Sequence, residues 1–104
     1  MIRVFIDDIR NPVGPNWIVI RSYSDAVNWF NKYGCPDFIS FDHDLGEDYM
    51  GTGFDVAKWM VDKDLDMDGY FIPKNFTFNV HSANPIGKAN IETLLYNYLR
   101  HRNA

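Results

Sequence analysis

Two short apolar runs that break abruptly into acids set the strongest constraint on this chain. Val4-Phe5-Ile6 meets Asp7 and Asp8, and Phe38-Ile39-Ser40-Phe41 meets Asp42, His43 and Asp44. A near-continuous apolar run of strand length reads as a strand covered on both faces, which is the habit of parallel sheets. Parallel neighbours need crossover connections, so helices must alternate with the strands. Trp17 to Arg21 reads as another strand, and Phe76, Phe78 and Val80 alternate with Thr77, Asn79 and His81 as a half-buried fourth strand with one poorly covered face.

Helices fall between these runs. Ser22 or Ser24 can cap a helix from Asp25 to about Lys32 that stops at Gly34 and Pro36. After a loop from Gly46 to Gly53, Phe54, Ala57 and Val61 suggest a second helix to about Leu65. Ile91, Leu94, Leu95, Tyr98 and Leu99 form the clearest amphipathic stripe, with Arg100, His101 and Arg102 suited to a helix C-terminus. Between the first two strands, Asn11-Pro12-Val13-Gly14-Pro15-Asn16 is turn chemistry rather than helix. The whole is an α/β pattern around a mostly parallel sheet.

Ligand sites of such sheets lie beyond the carboxyl ends of the strands. Those ends carry Asp7 and Asp8, then Asp42, His43 and Asp44, then His81, Ser82 and Asn84. Isolated acids of this kind usually cap turns and helices. Four carboxylates in one crevice, however, cannot all stay ionised without a cation. All-oxygen ligands suit Mg²⁺ (or Mn²⁺), which leaves Asp7, Asp8, Asp42 and Asp44 as candidate metal ligands. Asn84 and Pro85 fit the cap and first residue of the last helix, where Ser82, Asn84 and Lys88 would face an anion, although a plain capped helix needs the same residues. His81 is the sharper candidate for proton transfer, with His43 competing for the role, while His101 reads as solvated.

Other features bound the function. The chain has 104 residues with 10 Lys plus Arg against 14 Asp plus Glu, for a net charge of −4. No extended nucleic-acid surface is expected, and any such contact should be local. Cys35 is the one cysteine, which leaves no intramolecular disulfide or thiolate zinc site and suits a reducing cytoplasm. The first apolar run is too short for a signal peptide or a membrane span. Asp64-Leu65-Asp66-Met67-Asp68-Gly69 copies the opening of a calcium loop, but Asn75 stands where the bidentate glutamate belongs. An acidic, solvated helix end is the expectation there.

The strand-end acids and Ser82 resemble a response-regulator receiver domain, although no helix separates the first two strands and no fifth strand or usual lysine follows Tyr98. The wording is closer to the cyclic-phosphate-processing receiver-like family. Four motifs carry the resemblance: Phe5-Ile6-Asp7-Asp8-Ile9-Arg10-Asn11-Pro12, Phe41-Asp42-His43-Asp44-Leu45-Gly46, Gly51-Thr52-Gly53-Phe54-Asp55, and His81-Ser82-Ala83-Asn84-Pro85. It implies one truncated receiver- or flavodoxin-like domain over residues 1–104, with a four-stranded sheet of order 2-1-3-4 and about three helices. It also implies a metal-dependent phosphoesterase acting on a cyclic nucleotide or a cyclic-ended RNA. Asp7, Asp8 and Asp42 would hold metal, joined by Asp44; Asp42, His81 and His43 are the catalytic candidates, and Arg10, Ser82, Asn84 and Lys88 would hold substrate. A non-catalytic module that binds a phosphorylated nucleotide or a protein partner is the alternative.

Overall fold

Capping chemistry sets the helix boundaries. The computed structural model describes residues 1–103. Ser22 Oγ accepts the Asp25 amide at the start of α1 (Tyr23–Tyr33), which ends at Gly34 with φ 87°, a left-handed conformation that favours glycine. Thr52 and Asp55 exchange hydrogen bonds as a capping box, so α2 (Gly53–Asp66) begins one residue before Phe54. Asn84 caps α3 (Pro85–Arg102), with Pro85 in its first turn. No helix among the described residues is long and apolar enough to cross a membrane.

Strands β1 (Arg3–Ile6), β2 (Ile18–Ile20), β3 (Phe38–Phe41) and β4 (Thr77–Val80) form one all-parallel sheet in the order β2-β1-β3-β4. The expected order therefore holds, and β2 runs parallel to β1. Two strands are trimmed relative to the expectation: β2 spans Ile18–Ile20 within the Trp17 to Arg21 stretch, and β4 spans Thr77–Val80. The loop from Gly46 to Gly53 contains a 3₁₀ turn at Asp48–Met50.

Topology decides which face the helices cover. The steps from β2 to β3 and from β3 to β4 move across the sheet in the same direction. Right-handed crossovers then place α1 and α2 on one face. The core forms there, with Val4, Ile6, Ile39, Phe41 and Val80 packed on Phe30, Val56, Met60, Ile91 and Leu95. The step from β1 to β2 runs the opposite way, so a helix there would have covered the other face. Residues 9–16 form no helix. That other face is covered only in part, as the pattern of β4 suggested.

In the Asp64–Gly69 stretch Asp66 and Asp68 are exposed as expected, but Asp64 departs from the expectation. Asp64 is fully buried and neither solvated nor arranged as a calcium ligand. Its Oδ1 accepts the amides of Phe71 and Ile72, at 3.0 and 2.7 Å. Its Oδ2 accepts the Tyr98 hydroxyl at 2.5 Å and the Arg102 guanidinium at 3.2 Å. The carboxylate is a tether joining α2, the segment before β4 and the end of α3. His101 is exposed, as expected. Cys35 packs against the core, where burial pushes its thiol pKa up, in keeping with a structural residue.

Gly53 fixes α2 beneath the acidic strand end. Its amide donates to the His43 carbonyl at 2.7 Å, and a Cβ there would run into the Asp42 carbonyl oxygen. Gly53→Ala should therefore cost about 1–3 kcal/mol, the usual penalty of overpacking. Thermal melting of the variant checks this; an unchanged Tm would show that the close approach is not needed.

Candidate functional site

The two-residue alternation of a strand carries the core-distal face of the sheet straight into the acidic end. Arg3, Phe5 and Asp7 share one side of the first segment, Phe38, Ser40 and Asp42 that of the third, and Thr77, Asn79 and His81 that of the fourth. The ladder continues one residue past each strand: the Asp7 amide donates to Ile20, Asp42 to Ile6 and His81 to Phe41. Asp7, Asp42 and His81 are thus held by backbone hydrogen bonds rather than carried on free loops.

Asp7 lies at the centre, with 1% of its surface exposed. Its Oδ1 accepts the amides of Ile9 and Arg10 at 2.9 and 2.7 Å. Its Oδ2 accepts Arg10 Nε and His81 Nε2, each at 2.9 Å. Burial pushes the Asp7 carboxyl pKa up, but these two amides, His81 and the Arg10 charge outweigh it and hold the group below its usual range. The Arg10 guanidinium also approaches Asp42 at 3.5 Å. Arg10 is therefore the cation that answers the crowded acids. Arg21 braces the same loop by donating to the carbonyls of Asp7 and Arg10.

Asp7, Asp8 and Asp42 each offer a carboxylate oxygen within 4.8 Å of the others. Together with Ile9, Arg10, Asp44, Gly46 and Ala83 they line a cavity of about 390 Å³. The donor set fits a hard divalent cation: all ligands are oxygens, and Mg²⁺ needs only one or two carboxylates. Among the described residues Asp8 makes no side-chain hydrogen bond and the cation nearest Asp42 is Arg10 at 3.5 Å, so both carboxylates keep lone pairs for a metal. The four hydrogen bonds to Asp7 occupy its two oxygens, so Asp7 joins a metal only if Arg10 turns away.

His81 lies beside this cavity. Asp7 accepts hydrogen bonds only, so Nε2 of His81 carries the proton between them. Nδ1 meets Ser40 Oγ at 2.7 Å, and Asn79 donates to the same oxygen at 3.4 Å. The ring is stacked on Phe5 with centroids 4.4 Å apart. A hydrogen-bonded chain thus runs from Asn79 through Ser40 and His81 to Asp7.

The remaining candidates are placed differently. His43 Nδ1 pairs with Asp44 at 2.9 Å, and its ring packs against Gly87 of α3 rather than lining the acidic cavity. Asp44 lines the cavity but is 57% exposed and stands outside the three-carboxylate cluster. Ser82 Oγ accepts the Asn84 amide and Asn84 Oδ1 accepts the Gly87 amide, so both side chains serve the α3 cap. Lys88 is exposed and does not line the cavity. Ser40 and Arg21 carry no role in the sequence reading. A polar residue inside the apolar run Phe38-Ile39-Ser40-Phe41 was the available signal for Ser40.

No curated protein and no solved structure matches the chain. A family model does match: described as the cyclic-phosphate processing receiver domain, it covers residues 2–97. That span includes every strand, the three clustered carboxylates and His81. With nearly the whole chain covered, this protein belongs to the cyclic-phosphate processing receiver family.

Proposed function

We propose that the chain is a metal-dependent phosphoesterase that opens a cyclic phosphodiester on a nucleotide or an RNA end. The observation that carries this reading is the meeting of three carboxylates from two strand ends, within 4.8 Å, beside Arg10 and a tethered histidine. Asp8 and Asp42 would hold Mg²⁺ (or Mn²⁺), with Asp7 joining as Arg10 turns away. When bound, the cation would supply Lewis-acid polarisation of the phosphoryl oxygens.

The side chains account for the rest. Arg10, half exposed at the cavity mouth, exchanges its carboxylate partners for phosphate oxygens. In the reaction a water oxygen bonds to phosphorus, one ring P–O bond breaks, and the freed oxygen takes a proton, leaving a phosphomonoester. His81 would move that proton after one ring nitrogen leaves its present partner; the bonds to Asp7 and Ser40 that fix its tautomer and ring support this assignment. His43 is the less favoured carrier because its ring packs against Gly87 of α3 and pairs with the exposed Asp44, with no bond to the clustered carboxylates Asp7, Asp8 and Asp42 among the described residues.

Incubation of folded protein with 2′,3′-cyclic nucleotides and cyclic-ended RNA, with and without Mg²⁺, tests the proposal. Mg²⁺-dependent formation of the monoester is the expected result. No turnover of any of these substrates would sink it. One observation favours a non-catalytic module: Asp7 is saturated and Arg10 already answers the acids. For that reading, calorimetry would show tight nucleotide binding with no product.

A further inference from the structure

We infer that the helix-free face of the sheet is a nucleobase subsite for the substrate whose cyclic phosphate enters the acidic cavity. This rests on the phosphoesterase reading for the phosphate end, but its own support comes from a separate concavity of about 560 Å³. Small-molecule sites commonly have this size and combine apolar walls with a few placed polar groups. Phe5, Trp17 and Phe38 supply the aromatic surface: the Trp17 ring meets Phe5 edge-on at 5.8 Å and Phe38 at 5.9 Å. None of the three belongs to the helix-side core cluster.

Continuity ties this surface to the acidic cavity. His81 lines the concavity, stacks on Phe5 and donates to Asp7, which lines the acidic cavity, so the two spaces are joined through one hydrogen-bonded pair of side chains. A nucleoside cyclic phosphate has the same order of parts, with a flat base at one end and an anion at the other. Base stacking on aromatic side chains is indifferent to base identity, because every base has a π-face. Ser40 and Asn79 add the polar element. Asn79 is exposed and carries both a donor and an acceptor, as needed to meet the edge of a base.

A second copy of the chain is the competing occupant, and the composition argues against it. The floor presents the amide of Asn79, the Ser40 hydroxyl and His81 beside the aromatic rings, while the Arg3 guanidinium lies 4.3 Å over Trp17. Those groups would need matched polar partners in a self-complementary interface, whereas a base supplies them. The wall is also held in place, since Trp17 Nε1 donates to the Val13 carbonyl and Arg3 to the Pro15 carbonyl.

The test uses 3′-AMP and base-free ribose 3-phosphate, which carry no ring to be opened, and follows tryptophan fluorescence in Mg²⁺ buffer. 3′-AMP should quench the signal and bind at least about 10-fold more tightly than ribose 3-phosphate, with the quench lost in Trp17→Phe. Phe38→Ala should weaken 3′-AMP about 10- to 100-fold and leave ribose 3-phosphate unchanged. Asn79→Ala, at an exposed position that does not support the core, should narrow the preference between 3′-AMP and 3′-UMP. Equal affinity for the two phosphates, or a quench that survives Trp17→Phe, would overturn the subsite. So would a dimer in sedimentation that Phe38→Ala dissociates while nucleotide affinity stays constant. Hydrolysis of cyclic substrates together with equal phosphate affinities would remove the subsite and leave the phosphoesterase. Base-dependent binding without any hydrolysis would do the reverse.

Discussion

Asp42→Asn and His81→Ala should both abolish most turnover, yet they should separate cleanly in metal affinity. Asp42 keeps lone pairs free beside Asp8, so on the proposed function its loss would remove a direct metal donor. Loss of an outer partner of a metal ligand costs about 10–100-fold in metal affinity, and a direct donor should cost no less. The same change removes one negative charge from a crowded cluster answered by the Arg10 guanidinium, so Asp42→Asn should melt at or above the parent temperature. His81→Ala would delete the proposed proton carrier and should lower the rate by about 10²–10⁴ while Mg²⁺ affinity changes little.

A purely positioning role for His81 has a different signature. The ring holds Asp7 Oδ2 from one side and Ser40 from the other. Glutamine keeps a hydrogen-bond donor for Asp7 but cannot carry a proton at neutral pH. If His81 only positions Asp7, His81→Gln should recover most of the rate; if it transfers the proton, Gln should be as slow as Ala. Mg²⁺ titration, melting and turnover on the three variants decide the matter. A His81→Ala protein of full activity would remove the role assigned to it.

The parts of this molecule that could be read from sequence are those written locally. Val4-Phe5-Ile6 and Phe38 to Phe41 announce parallel strands through their unbroken apolar character, and the acids that follow mark the carboxyl edge. Caps such as Thr52 and Asn84 lie within three residues of their partners. What escaped the sequence depends on long-range pairing. Ser40 meets His81 across 41 positions, and Asp64 meets Arg102 across 38. Asp64 sits in a run of alternating acids that resembles a solvated turn, and only the return of α3 buries it. Likewise, Arg10 follows Asp8 by two residues and reads as a phosphate ligand, whereas its resting partners are the acids themselves. Ser82 and Asn84 show the opposite case: local capping, which the sequence already offered as the plainer reading, accounts for the bonds that they make.

Asp64→Ala should produce the largest loss of stability of any single carboxylate change. The side chain is fully buried and satisfies two backbone amides, one tyrosine hydroxyl and one guanidinium. Its removal strands the Phe71 and Ile72 amides in the interior and leaves Arg102, itself only 12% exposed, without its carboxylate. Breaking one side of a buried charged pair typically costs about 3–5 kcal/mol. For a domain of this size that should lower Tm by more than about 10 °C and remove a large fraction of the total stability. The pH dependence follows from the same bonds. Burial alone would raise the Asp64 carboxyl pKa, but the Tyr98 hydroxyl, the Ile72 amide, Arg102 and the Phe71 amide together hold it below its ordinary value. Burial and the hydrogen bond to Asp64 push Tyr98 up to about 12, so its proton stays in place throughout the acid range. As pH falls, the unfolded chain therefore takes up a proton at Asp64 before the folded chain does. The stabilisation is complete above the ordinary carboxylate pKa, about 4, and is lost as pH falls through the lower folded value. Asp64→Asn should remove this acid-dependent part, giving a protein that is less stable at pH 7 but whose stability falls less between about pH 5 and pH 2. Denaturant titrations of parent and variants across that range measure the effect, and parallel curves for the parent and Asp64→Asn would show that the tether does not depend on the charge of Asp64.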